Sequence, residues 1–171
     1  RILNAAIVEG GTKYLLTTRL GAVVVDANSK MVLKEFFDDG EQVVETRLIA
    51  NGTRLLGFPD PTDSSGLKIW DFANEDQIAE LLPERAITGA QYFSETNMLA
   101  VWSHPHLAFS TPANLSVWDL DQNVKISDFD DVGAMHEAVY LSGTDKLLTW
   151  GGPEISVWDI RNGSKLATMM H

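Results

Sequence analysis

One short phrase recurs along the chain and constrains its fold more than any other feature. Leu67-Lys-Ile-Trp-Asp71, Leu115-Ser-Val-Trp-Asp119 and Ile155-Ser-Val-Trp-Asp159 are copies of one pattern, and Ala22-Val-Val-Val-Asp26 is a degenerate fourth. Their aspartates lie 45, 48 and 40 residues apart. A second ladder runs beside the first: Gly11-Thr-Lys-Tyr-Leu-Leu16, Asn51-Gly-Thr-Arg-Leu-Leu56, Glu95-Thr-Asn-Met-Leu-Ala100 and Gly143-Thr-Asp-Lys-Leu-Leu148 each lead a polar turn into an apolar run. Self-similarity at such a period marks a stacked repeat architecture, in which each repeat is one small unit that buries its apolar faces against its neighbours. The segments between the Gly, Asn, Asp and Pro punctuation are short and rich in Val, Ile, Leu and Trp, and none of helix length carries a 3.6-residue apolar stripe. The chain therefore reads as all-β.

Within each Trp-bearing segment the alternation places Ile69 and Trp70, Val117 and Trp118, or Val157 and Trp158 on opposite faces. A sheet apolar on both faces is one packed between two others, so Trp is expected to fill the space between sheets. The Asp that follows ends the strand, where its carboxylate can accept hydrogen bonds from turn amides. Asn28-Ser, Asn74-Glu, Gln122-Asn and Asn162-Gly then supply the hairpin. Trp70, Asp71, Trp118, Asp119, Trp158 and Asp159 are thus structural residues of the repeat.

A Trp-Asp pair ending a strand about every 40 to 45 residues resembles the WD-repeat family of β-propellers, and the resemblance covers the whole chain. It implies a propeller of four-stranded antiparallel blades, four in this chain, at approximately 1–40, 41–84, 85–131 and 132–171. The expected strands are Ile2 to Val8, Tyr14 to Thr18, Ala22 to Asp26 and Met31 to Phe36 in the first blade, and Gln42 to Ile49, Arg54 to Phe58, Leu67 to Asp71 and Gln77 to Leu82 in the second. The third has Ala86 to Phe93, Met98 to Trp102, Leu115 to Asp119 and Val124 to Phe129, and the fourth Met135 to Leu141, Lys146 to Trp150, Ile155 to Asp159 and Lys165 to Met169. The family's Gly-His pair is missing: the matching stretches read Phe37-Asp-Asp39, Leu82-Pro-Glu84 and Phe129-Asp-Asp131, with only His171 near the expected place. The network of His, Ser or Thr, Trp and Asp typical of the family cannot form in its usual composition.

Propellers have about 4 to 8 blades. A chain that starts on a first strand, at Arg1, and stops on a fourth leaves three expectations: a fragment of a longer protein, a pair of copies completing an eight-bladed ring, or a strained ring of four. Open blade faces promote association.

The loop between second and third strands is longest in the second and third repeats. Those loops read Pro59-Asp-Pro-Thr-Asp-Ser-Ser-Gly66 and Ser103-His-Pro-His-Leu-Ala-Phe-Ser-Thr-Pro-Ala-Asn114. Insertions on one face of a repeat protein mark its binding face. Phe58, Trp102 and Trp150 end the second strands beside them, where the first repeat has Thr18. With His104, His106 and Phe109 they form the candidate partner-binding set, aromatics at a loop–strand junction being suitable anchors. The competing reading packs these rings beneath the loops. His104 and His106 with Asp60 and Asp63 fix no third ligand in sequence, so a surface loop is expected there and no metal site.

Charge and composition narrow the function. A net charge of −11 disfavours phosphate backbones and anionic lipid, so no nucleic acid and no membrane partner is expected. The longest apolar runs fall far below the roughly 18 residues of a membrane span. Absence of Cys excludes a disulfide framework and thiolate chemistry and fits a reducing, cytoplasmic compartment. The glycosylation patterns at Asn51, Asn114 and Asn162 matter only if the chain is secreted. No catalytic motif is present, and the acidic turns Asp38-Asp39, Glu75-Asp76 and Asp128 to Asp131 are solvating and suit a basic partner. The expectation is a non-enzymatic scaffold without a cofactor that presents loops to a protein or peptide, with self-association as a further route to a complete ring. The alternative is a propeller enzyme or small-ligand binder using the central channel, which would require ionisable side chains from first strands that carry mainly Ala, Val, Ile and Tyr.

Overall fold

The computed structural model describes residues 1–37, 43–60, 66–81, 87–103 and 113–170. Those residues form sixteen strands in four antiparallel sheets, each sheet a meander of four consecutive strands. Sheet one is β1 (Ile2–Val8), β2 (Lys13–Thr18), β3 (Gly21–Asp26) and β4 (Val32–Phe37). Sheet two is β5 (Val43–Ile49), β6 (Arg54–Pro59), β7 (Leu67–Asp71) and β8 (Gln77–Leu81). Sheet three is β9 (Ile87–Phe93), β10 (Met98–Ser103), β11 (Asn114–Asp119) and β12 (Val124–Phe129). Sheet four is β13 (Glu137–Leu141), β14 (Lys146–Trp150), β15 (Glu154–Asp159) and β16 (Lys165–Met170). Every strand end lies within two residues of the sequence expectation, and no helix among the described residues is long and apolar enough to cross a membrane.

The third-to-fourth strand hairpin is built the same way in all four sheets. The Asp26 carboxylate accepts from the amides of Asn28 and Ser29 at 3.0 and 2.7 Å. Asp71 and Asp119 do the same for Ala73 and Asn74, and for Asp121 and Gln122, while Asp159 takes the Arg161 amide at 2.8 Å. One residue in each turn is then left-handed: Lys30, Glu75, Asn123 and Gly163, with φ of 62, 67, 53 and 69°. An acceptor at the strand end holds the turn amides that the ladder leaves free, which is why Asp recurs at this place.

Contacts divide the chain into two compact units, Arg1–Leu82 and Pro83–His171, each holding two sheets. In the first unit Leu15, Val24 and Phe36 of sheet one meet Val43, Leu55 and Trp70 of sheet two in one buried cluster. In the second, Leu115, Val117 and Phe129 of sheet three meet Ala138, Leu147 and Trp158 of sheet four. Trp70 and Trp158 are 2% and 1% exposed, and each meets a Phe of the preceding sheet edge-on: Phe36 at 6.3 Å and Phe129 at 5.7 Å between ring centroids.

Two register details differ from the sequence reading. The pairings Lys13 with Asp26, Arg54 with Asp71, Met98 with Asp119 and Lys146 with Asp159 set the equivalence of the second strands. Leu15 therefore matches Leu56 rather than Leu55, and Thr17, not Thr18, is the counterpart of Phe58, Trp102 and Trp150. Matching the pair Leu15-Leu16 to Leu55-Leu56 slips the sequence ladder by one residue, and a slip of one exchanges faces. Trp118 also departs from a fully buried role. It is half-buried, on the side of β11 opposite to Val117 and the cluster with sheet four, and its indole donates to Ser116 Oγ at 3.0 Å.

Candidate functional site

The three matched aromatics have three different surroundings. Phe58 is 7% exposed and stands opposite Glu45 in the ladder. The Arg47 guanidinium lies 4.8 Å from its ring centre and is itself paired with Glu45 at 2.6 Å. Trp102 is 6% exposed and packs over Gly89, its direct cross-strand neighbour: a Cβ added at Gly89 would lie 2.4 Å from the indole. Trp150 is half-buried, beside Glu137 on β13 and Ile155 on β15. The structure thus leaves one of the three rings accessible. His104, His106, Phe109 and Asp63 lie outside the described residues. Among the described residues no group of three His, Asp or Glu could hold a metal ion.

Trp150 belongs to a whole sheet face. Leu148 is two residues before it on β14, and cross-strand pairing adds Val139, Val157 and Met169. Val139 and Met169 are exposed and the others are partly so. Sheet four thus buries the Leu147 and Trp158 side and leaves this apolar side open. Sheet one does the reverse with its own two sides. Leu15 and Val24 are covered by sheet two, while Ile7, Tyr14, Leu16 and Val25 form an open side on which Ile7 is 71% exposed.

One groove of about 220 Å³ lies between β9 and β13, lined by Gln91, Tyr92, Phe93, Glu95, Glu137 and Tyr140. Tyr92 Oη donates to Asn97 Oδ1 at 2.9 Å, and Ser142 Oγ donates to Glu95 Oε2 at 2.6 Å. The groove offers two carboxylates and aromatic walls, which suits a cationic group.

Lys68 is a polar residue that the sequence reading passed over. It sits two residues before Trp70, where the fourth sheet has Ser156, and is 3% exposed. Burial lowers the pKa of its ammonium below the usual lysine value, and Glu80, paired with it across the ladder, acts the other way. The signal was legible as the one cation in a strand copy that otherwise holds Ser or Val at this place. In sheet four the same region is a polar chain: Ser156 Oγ donates to Glu154 Oε1 at 2.8 Å, and Lys165 Nζ reaches that oxygen at 3.3 Å. These bonds, Ser156 first, hold the Glu154 carboxyl below the ordinary carboxylate range.

No protein-family model matches the chain, and no curated protein is found to be similar to it.

Proposed function

We propose that the chain is a non-enzymatic interaction scaffold whose four sheets are WD-repeat-like propeller blades, and that it binds protein partners through its open apolar sheet faces. The observation that carries this reading is the sheet-four face, where Trp150 stands accessible among Leu148, Ile155, Val157 and Met169. An apolar sheet face that carries an accessible aromatic is what an interface core requires. The recurring Trp-Asp strand ends and the carboxylate-held hairpins support the blade assignment. A net charge of −11 favours a basic rim on the partner, and a Cys-free composition suits a cytoplasmic setting.

Photo-crosslinking tests the reading. Benzoylphenylalanine in place of Met169, on the open face, should give discrete protein adducts in cells, and the same group in place of Asn162, in the β15–β16 turn, should not. A scaffold reading fails if Met169 yields no more adduct than Asn162.

A further inference from the structure

One reactive dipeptide occurs twice in the chain, in turns of opposite character. Asn51-Gly52 lies in the β5–β6 turn of sheet two, and Asn162-Gly163 in the β15–β16 turn of sheet four. An asparagine followed by glycine is the pair most open to ring closure, because a glycine has no Cβ to hinder the approach of its nitrogen to the asparagine side-chain carbon. Each pair is followed by a hydroxyl residue, Thr53 or Ser164, so the two local sequences are nearly the same. What differs is how the fold holds them.

The Asn162 turn is pinned at both reacting groups. The Gly163 N–H donates to Asp159 O at 3.0 Å, and Asn162 Oδ1 accepts from the Ser164 N–H at 2.9 Å. The Asp159 carboxylate holds the Arg161 amide at 2.8 Å, and the Asp159 N–H donates to Ser164 O at 2.9 Å. Gly163 is also walled in, since a Cβ there would collide with the Asp128 backbone oxygen on β12. The Asn51 turn is a single short 3₁₀ turn, Ala50–Gly52, tied at Thr53, whose N–H and Oγ1 donate to Ala50 O at 3.2 and 2.7 Å. Asn51 is exposed, and among the described residues its side-chain amide has no hydrogen-bond partner. A Cβ at Gly52 would meet nothing within 4 Å, so the space beside the reacting nitrogen is open. Ala50, Asn51 and Gly52 are all left-handed, at φ of 50, 55 and 83°. That conformation costs Ala50 and Asn51, which lowers the cost of turning Asn51 ψ away from 32° for ring closure.

We propose that Asn51 is a site of spontaneous self-modification, and that the fold directs the reaction to it and spares Asn162. The Gly52 nitrogen gives up its proton, attacks Asn51 Cγ and closes a cyclic imide as the Cγ–Nδ2 bond breaks. Nδ2 leaves as ammonia, with its own two protons and the one from Gly52. Water then opens the imide at either carbonyl and gives aspartate or, with the main chain rerouted through the side chain, isoaspartate. Electrons are neither gained nor lost, and water is the only co-reactant. The reaction replaces a neutral amide by a carboxylate on a chain that already carries −11, and isoaspartate adds a methylene to the backbone of the turn that leads into β6. The proposal is independent of the scaffold reading.

The test is incubation of the full chain at mildly alkaline pH in water enriched in heavy oxygen, followed by digestion at acid pH and tandem mass spectrometry. The peptide holding Asn51 should convert to the acid, take up the heavy oxygen and split into an aspartyl and an isoaspartyl species, at a rate that rises with hydroxide. The Asn162 peptide should convert about 10-fold more slowly, the order expected when the hydrogen bond on its Oδ1 must break first. In urea the two peptides should convert at nearly equal rates, because unfolding removes the difference between their surroundings. Asn51→Gln should remove the fast conversion of the folded chain. An Asn51 that stays an amide in the folded chain, an Asn162 that converts as fast, or a rate ratio in urea equal to that in buffer would each overturn the proposal.

Discussion

The two buried Trp residues, Trp70 in the first unit and Trp158 in the second, occupy the same repeat position and are supported in opposite ways. Diagonally across the ladder from Trp70 lies Gly57, and a Cβ there would lie 2.4 Å from the ring, so the indole occupies the space a side chain would take. Beneath Trp158 the same position is Thr149, whose Oγ1 accepts from the indole Nε1 at 2.9 Å. The neighbouring position follows suit, with buried Lys68 in one unit and buried Ser156 in the other. One indole is therefore seated by shape and the other by a hydrogen bond. Volume and polar satisfaction are interchangeable solutions to one packing problem, provided both members of a pair change together.

The largest effect that would break the comparison is loss of the ring itself. Trp70→Ala and Trp158→Ala should each cost about 3 to 5 kcal/mol, because each removes a nearly fully buried indole and an edge-on Phe contact. Trp118→Ala, at a half-buried ring, should cost distinctly less. Chemical denaturation of the three variants measures this, and equal losses would mean that Trp118 is also core.

The supports themselves come next. Gly57→Ala should destabilise by about 1 to 3 kcal/mol through overpacking against Trp70. Thr149→Val keeps the shape but strands the Trp158 indole N–H, and should cost a similar amount, about 1 to 3 kcal/mol. Thr149→Gly adds a cavity to that loss. A neutral Thr149→Val would show that the hydrogen bond is incidental and that both Trp residues are held by shape alone.

The smallest effect is a pH dependence confined to the first unit. Burial lowers the folded-state pKa of Lys68, so between that value and the ordinary 10.5 the unfolded chain binds more protons than the folded one. Stability should rise with pH across that interval, and the cost of burying the charge is fully present below it. Lys68→Met should flatten this alkaline rise, whereas Ser156→Met should leave it unchanged. A rise that persists in Lys68→Met would place its source elsewhere.

Much of the fold was legible in the sequence. The Trp-Asp endings, the turn residues after them and the second ladder, read with the four-stranded unit that the resemblance implies, placed all sixteen strands, because strand alternation and an aspartate that holds a hairpin are local requirements. The register of the first repeat was not legible: Thr17 rather than Thr18 matches Trp102, and only the pairing of Lys13 with Asp26 reveals it. Nor were the fates of the aromatics. Phe58, Trp102 and Trp150 are equivalent in the pattern, but Arg47 covers one, Gly89 receives another, and the third stands on an open face. Local periodicity states which side of a strand a residue takes. Whether that side is covered depends on the neighbouring sheet and on the size of the residue it contributes. That is decided by packing between distant segments, which only the tertiary structure contains.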